Sequence, residues 1–180
     1  MAKLYKALAT VTVGSGGAAS MAFSSIPATY TDLVVKISSR CNYGEIDQGI
    51  FVRFNSDSGS NYSVRELLAN PNNTPGSLSW SAQTYLYIFQ QAAQNATANT
   101  FGNIDFYIPN YTSSNYKSTS TDGVTETNAT SGTNRLLSLS AGLWSSTSAI
   151  TSITLTSQNG NFDQYSTATL YGIRKTTGPI

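Results

Sequence analysis

The stretch Asp32-Leu33-Val34-Val35-Lys36-Ile37-Ser38 decides the fold class of this 180-residue chain. Its valines and isoleucine favour a pleated, half-buried surface. Alternation of apolar and polar residues with a period of two recurs along most of the sequence, and this is the signal of β-strands. Nine short strands are predicted in this way, at Leu4 to Val13, Ser20 to Phe23, Asp32 to Ser38, Gly49 to Phe54, Tyr85 to Phe89, Ile104 to Ile108, Arg135 to Leu139, Ile150 to Thr156 and Ala168 to Arg174.

Helical patterns are weak outside these strands. Only Ser63 to Leu68 fits a short helix, because its first serine and its glutamate have the spacing of a capping box. The polar stretches Asn70 to Gly76 and Asn110 to Asn134 predict surface connections, the second one with an exposed hairpin about Asp122-Gly123.

Short strands joined by polar connections exclude a parallel α/β arrangement and favour an antiparallel one. The predicted fold is all-β: a single domain over residues 1–180, built as an antiparallel two-sheet sandwich of jelly-roll type with about eight strands. An immunoglobulin-like sandwich is the alternative, but it usually needs only about 100 residues, and its best-known members have paired cysteines. Cys41 is the only cysteine here, so packing and hydrogen bonds alone must hold the fold.

The composition argues against an enzyme. The chain has no histidine, 11% charged residues, and 64 Ser, Thr and Asn residues among its 180. Acid–base, metal and nucleophilic chemistry draw mainly on the residue types that are scarce here. We therefore expect no catalytic residues, no metal ligands and no cofactor, and a protein whose task is structural or adhesive.

Three short patterns resemble functional motifs but match them poorly. Asn55 to Asn61 with Glu66 has the outline of a calcium loop, yet it lacks the first aspartate and the glycine of the sharp turn. Ser114-Asn-Tyr-Lys117 has the S-x-x-K spelling of penicillin-recognising enzymes, but it lies in a polar stretch of an all-β chain. Glu45 and Asp47 are the nearest pair of carboxylates for a glycosidase. The preferred interpretations are an ordinary turn for the calcium-like segment, a chance match for the S-x-x-K spelling, and a solvated pair for the two carboxylates.

The charge distribution bears on possible partners. The net charge is +1, and the ten basic residues are dispersed along the chain. Nucleic-acid binding usually needs a concentrated basic stripe, and a membrane span needs about 18 consecutive apolar residues. Neither pattern is present, so neither partner is expected. Lys3 and Lys6 could form a small contact arm over residues 1–6; the alternative is two solvated lysines on an edge strand.

The stretch Tyr85-Leu86-Tyr87-Ile88-Phe89 predicts a strand with two apolar faces. Strict alternation places Tyr85, Tyr87 and Phe89 on one face, with Leu86 and Ile88 on the other. The three aromatic residues are therefore candidate core or interface anchors. Flat aromatic faces also stack on sugar rings, which keeps carbohydrate binding open.

Two stretches near the ends of the chain carry more than strand periodicity. The first is Phe23 to Val35, in which Ile26-Pro27 turns the chain into a strand. The second is Gly142 to Leu155, continued by Phe162 and by Thr169 to Arg174. Together these stretches resemble small β-sandwich virion proteins of tailed bacteriophages, whereas the middle of the chain matches only loosely. They are strand-and-turn patterns with no catalytic signature.

The physical interpretation of the second stretch agrees with the resemblance. Ile153 and Leu155 alternate with threonines, which predicts a half-buried strand. Leu170, Tyr171 and Ile173 suit a last strand that pairs near the first.

The resemblance implies a protein that sits on a virus particle after synthesis in the host bacterial cytoplasm. One role is a trimeric capsid decoration (cement) protein on the outer surface of the major capsid protein lattice. The other is a part of a tail fibre or tail tip that binds a receptor, such as a host glycan. Decoration is preferred, because the sequence has no heptads, collagen-like repeat or β-helical repeat to build a fibre shaft. A polysaccharide-degrading enzyme is a third and more distant alternative.

Overall fold

The computed structural model describes residues 5–69, 75–126 and 136–174. None of the described residues belongs to a helix long and apolar enough to span a bilayer. Within these ranges the chain forms twelve β-strands. They are β1 Tyr5–Thr12, β2 Ser20–Phe23, β3 Asp32–Ser39, β4 Asp47–Phe54, β5 Tyr62–Ala69, β6 Pro75–Gln83, β7 Leu86–Ala92, β8 Gly102–Ile108, β9 Lys117–Thr125, β10 Leu136–Trp144, β11 Ile153–Ser157 and β12 Thr167–Ile173.

The strands pair antiparallel in two sheets. The larger sheet has the order β1-β12-β3-β8-β9-β10-β5-β6, and the smaller has the order β2-β11-β4-β7. Along the chain, β1 to β4 alternate between the two sheets, β7 follows in the smaller sheet beside β4, and β8, β11 and β12 alternate again. These eight strands form the facing halves β1-β12-β3-β8 and β2-β11-β4-β7 of a jelly roll. The predicted antiparallel jelly-roll sandwich is therefore confirmed.

Four additional strands widen the larger sheet beyond the jelly roll. Hairpin β5–β6 follows β4, and hairpin β9–β10 follows β8. The two hairpins lie side by side at the free edge of β8, joined through the β8–β9 and β10–β5 pairings. The predicted number of about eight strands is wrong for this reason, since the jelly roll itself has eight but the described chain has twelve.

The predicted helix from Ser63 to Leu68 is wrong. These residues lie in β5, which pairs with β10 on one side and with β6 on the other. Tyr62, Val64 and Glu66 are buried, whereas the residues between them are not, which is the alternation of a strand. Hydrogen bonding to two neighbouring strands outweighs the local capping-box signal, since propensity is only a weak prior.

The stretch from Asn110 to Asn134, predicted as a surface connection, contains strand β9. The buried positions of β9 are mostly threonines, so the strand has no apolar periodicity for sequence analysis to find. Gly123 lies inside this strand instead of in a hairpin turn. A Cβ at that position would come 2.5 Å from the ring of Phe89, which explains the glycine.

The predicted connection from Asn70 to Gly76 lies mainly outside the described residues. Its last two residues, Pro75 and Gly76, begin the edge strand β6. The alternation of Leu78 and Trp80 with serines is the signal that would have identified this strand.

The core lies between the two sheets. In β11, Ile153 and Leu155 are buried and alternate with half-buried threonines, as predicted. Strand β12 pairs with β1, which confirms that the last strand lies beside the first. The largest fully buried rings of the core are Trp144, Tyr62, Tyr111, Phe54, Phe89, Phe106 and Phe162.

Strand β7 has one residue more than its partner β4, at Ile88. This bulge shifts the alternation by one residue. Phe89 is therefore buried in the core with Leu86, while Tyr87 stays half-buried at the surface. The prediction that Tyr85, Tyr87 and Phe89 share one face is wrong.

Arg40 holds the connection after β7 from within the protein. Its guanidinium is almost fully buried and donates to four backbone carbonyl oxygens at 3.0 to 3.1 Å. Its Nε lies 3.6 Å from a carboxylate oxygen of Asp163. The carbonyl groups belong to Gln94, Ala96, Thr97 and Thr100.

Candidate interaction surfaces

Four large apolar side chains are exposed together on the outer side of the larger sheet. We call them the leucine face. In the strand register Leu139 lies opposite Leu67, and Leu137 lies opposite Val124, so the four are neighbours. Contiguous exposed apolar patches mark interaction sites on soluble proteins. The exposed fractions are 66% for Leu67, 59% for Leu137, 62% for Leu139 and 41% for Val124.

A groove of about 650 Å³ runs along the leucine face. Leu67, Leu78, Leu139 and Ala141 line it together with Arg65 and Glu66, and serines of β6, β9 and β10 border it. The groove adjoins a second depression of about 310 Å³ over β3 and β8, where Tyr5 and Tyr107 take part in the lining. The outer side of the larger sheet is therefore a continuous, mainly apolar surface with a hydroxyl border.

The second depression carries unbalanced negative charge. Asp105 and Asp122 lie directly opposite each other in the β8–β9 pairing. Lys36 forms an ion pair with Asp105, and its hydrogen bond to that carboxylate raises the pKa of Lys36. Two carboxylates with one ammonium group leave this end of the surface net negative.

Only one of the two lysines of the predicted N-terminal arm can be located. Lys3 lies outside the described residues. Lys6 is exposed in β1, opposite Gly172 of β12, at the edge of the larger sheet. A lysine in such a position discourages edge-to-edge pairing with another chain. Its part in a contact arm stays a prediction.

A cleft separates β6, at one edge of the larger sheet, from β7, at one edge of the smaller sheet. We call it the edge cleft. It consists of an outer cavity of about 270 Å³ and an inner cavity of about 260 Å³, and the two have residues of β6 and β7 in common. The shared residues are Leu78, Tyr87 and Gln90; Trp80, Tyr85, Gln83 and Gln158 line the outer cavity, and Asp47, Glu66 and Ser138 line the inner one.

Two of the three predicted aromatic anchors line the outer cavity of the edge cleft. Tyr85 stacks on Phe51, with ring centroids 3.7 Å apart and 19° between the planes. Tyr87 meets Trp80 at a tilt, with centroids 5.3 Å apart and 57° between the planes. Burial raises the pKa of the Tyr87 hydroxyl. Phe89 packs in the core and reaches only the inner cavity.

The inner cavity brings together two carboxyl groups, those of Asp47 and Glu66. Burial raises the pKa of both, and the charge of Glu45 adds to the shift at Asp47. Glu66 is only 5% exposed, and its Oε2 has no hydrogen-bond partner in the described residues. Glu45, the neighbour of Asp47 in sequence, is exposed. Sequence analysis missed Glu66 as a cavity residue because it assigned this glutamate to a helix cap.

The calcium-like segment is a turn closed by its own side chains. The Asp57 carboxylate accepts hydrogen bonds from the Gly59 amide at 2.8 Å and from Asn61 Nδ2 at 2.9 Å. It also accepts one from Trp144 Nε1 at 2.7 Å, which is the main cause that lowers the pKa of Asp57. The carboxylate therefore has a structural role. Across the described ranges, no group of three or more His, Cys, Asp or Glu residues is placed to hold a metal ion.

The lysine of the S-x-x-K spelling is also engaged internally. Lys117 Nζ donates to the carbonyl oxygens of Ser113 and Asn115 at 2.8 and 2.6 Å, and it lies 5.9 Å from the ring centre of Trp144. Burial lowers the pKa of Lys117. Ser114 is exposed on the turn before β9. Lys117 is therefore a structural residue that holds this turn.

Comparison with models of known protein families and with curated protein sequences finds no match.

Proposed function

We propose that this chain is a non-enzymatic structural protein of a bacteriophage particle. It acts as a decoration (cement) protein that binds the outer surface of the major capsid protein lattice and stabilises the head. The observation that carries the proposal is the leucine face, an apolar surface that is exposed among the described residues. The resemblance of the two end stretches to phage virion proteins supports the assignment to a bacteriophage particle. The jelly-roll sandwich is compatible with that assignment.

The leucine face has the chemistry of a protein–protein contact. Burying one leucine side chain stabilises a complex by about 1.5 to 3 kcal/mol, so Leu67, Leu137 and Leu139 together supply a substantial part of the binding free energy. The serines along the groove suit the polar rim of an interface. A standard interface buries about 1,200 to 2,000 Å² in total, which requires contacts beyond the leucine face itself.

The charges beside the leucine face indicate what the partner must present. Asp122 and Asp105 share one lysine, Lys36. A basic side chain on the capsid surface, facing Asp122, would complete the pairing and fix the register of docking. The partner is therefore expected to be an apolar protein surface with a basic group at one end.

Other parts of the proposal rest on the resemblance. These are assembly as a homotrimer and residence on the outer capsid surface. A lattice contact through Lys3 and Lys6 rests instead on their positive charge, which suits an acidic partner. The mass of the purified protein in solution, measured by light scattering, tests the homotrimer. A monomeric mass at micromolar concentration would contradict that part.

Electron microscopy of the particle tests the location. Copies spread over the icosahedral shell support decoration of the capsid. Copies confined to one vertex overturn it in favour of the alternative, a receptor-binding or carbohydrate-binding part of the tail.

A double substitution tests the docking surface. Leu137→Ser with Leu139→Ser should weaken binding to undecorated particles at least about hundredfold, since the leucines of β10 would lose their burial. Tyr116→Ser is the matched control, because Tyr116 is exposed on a turn away from the groove. Both proteins should keep the wild-type circular dichroism spectrum. Undiminished binding by the folded double variant would exclude the leucine face.

A further inference from the structure

The edge cleft is chemically unlike the leucine face. Aromatic rings and amide side chains dominate its outer cavity, and no lysine or arginine lines either cavity. The two cavities together are within the range of small-molecule sites, which are concave and have a few polar groups among apolar ones. The edge cleft adjoins the groove of the leucine face, because Leu78 and Glu66 line both, whereas Leu137 and Leu139 line neither cavity of the cleft.

The aromatic rings of the outer cavity are held in place by their neighbours. Tyr85 is fixed by its stacking on Phe51, and Trp80 is held against Tyr87. Both Trp80 and Tyr85 are half-buried, so part of each ring faces the cavity. Fixed, partly exposed rings suit a ligand with a flat apolar face.

Amide side chains lie beside these rings. Gln90 and Gln158 line the outer cavity, and each amide offers two N–H donors and one carbonyl acceptor. Neutral groups that both donate and accept match hydroxyl groups, which also do both. Because no cation faces the cleft, a phosphate, sulfate or carboxylate ligand would have no counter-charge there.

The inner cavity contains two buried polar atoms with unused hydrogen-bonding capacity. Glu66 Oε2 and Ser138 Oγ form no hydrogen bond of ordinary geometry in the described residues, although the two side chains interact, since Ser138 partly offsets the raised pKa of Glu66. A carboxyl oxygen has two lone pairs, so Glu66 can accept a hydrogen bond from a ligand hydroxyl beside Ser138.

From this arrangement we infer that the edge cleft binds a neutral saccharide. The apolar face of one sugar ring stacks on Trp80 and Tyr85, and its hydroxyl groups bond to Gln90, Gln158 and the carboxyl group of Glu66. The site gives the protein an adhesive function separate from docking on a capsid.

Binding to an array of neutral and acidic oligosaccharides tests this inference, followed by titration calorimetry with the neutral sugars that bind. Tryptophan emission provides a second signal, because Trp144 is fully buried and Trp80 faces the cleft. We expect saturable binding of at least one neutral saccharide together with a change in emission. No saturable binding, or binding only of acidic sugars or of amines such as spermidine, would overturn the inference.

Variants of the cleft identify the site. Trp80→Ala and Gln90→Ala should each weaken binding at least tenfold, and Trp80→Phe should restore part of it. Tyr116→Ala, on a distant turn, should bind as the wild type does. If Trp80→Ala disturbs the fold, the Gln90→Ala variant alone tests whether the saccharide binds in the edge cleft. Binding unaffected by a folded Gln90→Ala variant would place the saccharide elsewhere.

The two proposals can fail separately. The Leu137→Ser, Leu139→Ser protein should bind saccharide normally, and Gln90→Ala should dock on particles normally.

Discussion

At the scale of single residues, the charged side chains with motif-like spacing stabilise the fold. Asp57 accepts three hydrogen bonds, one of them from Trp144. Lys117 holds the turn before β9. Each group forms hydrogen bonds within one turn or with residues far away in the sequence. Spacing alone therefore suggested chemistry that their contacts do not support.

Gly123 should tolerate no side chain. A Cβ there would lie 2.5 to 2.8 Å from three ring atoms of Phe89, so Gly123→Ala should destabilise the protein by about 1 to 3 kcal/mol. Urea unfolding measures the change. Gly14→Ala is the control, since nothing lies within 4 Å of a Cβ at Gly14. Phe89→Leu combined with Gly123→Ala should lose less stability than the two single changes added together. Equal stabilities for Gly14→Ala and Gly123→Ala would contradict the packing described.

Glu66 should make the protein less stable as the pH rises. Its pKa is raised above 4.5 mainly by burial, so the unfolded chain loses the proton first. Stability therefore falls as the pH rises from the unfolded to the folded pKa and stays lower above both. Glu66→Gln removes this effect, so its stability relative to wild type should increase between pH 4 and pH 7 in urea unfolding.

A substitution at Asp57 serves as the opposite control for Glu66. The pKa of Asp57 is lowered from 3.8, so its stabilising effect is present above that pH and is lost as the pH falls. Asp57→Asn should therefore be most harmful near pH 7.

A difference in stability between Glu66→Gln and wild type that does not change with pH would contradict the burial of the Glu66 carboxyl group.

At the scale of strands, sequence analysis succeeded where one face of a strand is apolar. Strands β3, β8 and β11 have large apolar residues at alternate positions, and these positions are buried. In β12 the buried alternate positions are Ala168, Leu170 and Gly172, so only Leu170 adds to the apolar signal. Strand β9 has threonines and a glycine at those positions, and β5 has a glutamate, so both lack the signal.

The candidate surfaces were harder to predict than the strands. The leucine face depends on strands β5, β9 and β10 lying side by side, and two of these three strands, β5 and β9, are not predicted from the sequence. The edge cleft depends on the bulge at Ile88 and on β6 facing β7. Such pairings between distant segments cannot be derived from local periodicity.

The threonines of β9 should differ in their effect on stability. Among the described residues Thr119 Oγ1 is buried without a hydrogen-bond partner, whereas Thr125 Oγ1 donates to the Gln90 carbonyl oxygen at 2.8 Å. Thr119→Val should therefore be neutral or stabilising by up to about 1 kcal/mol, and Thr125→Val should destabilise by about 1 to 3 kcal/mol. Chemical unfolding of the two variants provides the comparison. The reverse order of stability would show that the hydroxyl groups are bonded differently.

At the scale of the whole molecule, the added hairpins share one core with the jelly roll. Gly123 of β9 faces Phe89, and Gly142 of β10 would place a Cβ 2.7 Å from Leu86. Strand β7 of the smaller sheet thus packs across the added strands as well as across β8. Hairpins β5–β6 and β9–β10 should therefore not unfold separately from the jelly roll.

We expect one cooperative unfolding transition. Trp80 lies in β6 and Trp144 in β10, so tryptophan fluorescence reports on the added strands, whereas far-ultraviolet circular dichroism reports on all strands. The two signals should coincide in urea, and refolding should take milliseconds to seconds or longer, because the pairings join distant segments. A fluorescence transition at a lower urea concentration than the circular dichroism transition would show that hairpins β5–β6 and β9–β10 unfold as an independent unit.

The pairing of the first and last described strands bears on how the protein can be labelled. Tyr5 lies opposite Ile173, so both ends of the described chain meet at one corner of the larger sheet. Strand β1 is seven strand spacings from β6, or about 34 Å along the sheet. A fluorescent domain or an affinity peptide fused at that corner would leave the edge cleft unobstructed. A protein tagged at that corner can therefore present the cleft to immobilised sugars, whereas the docking surface, which Tyr5 helps to line, is closer to the tag.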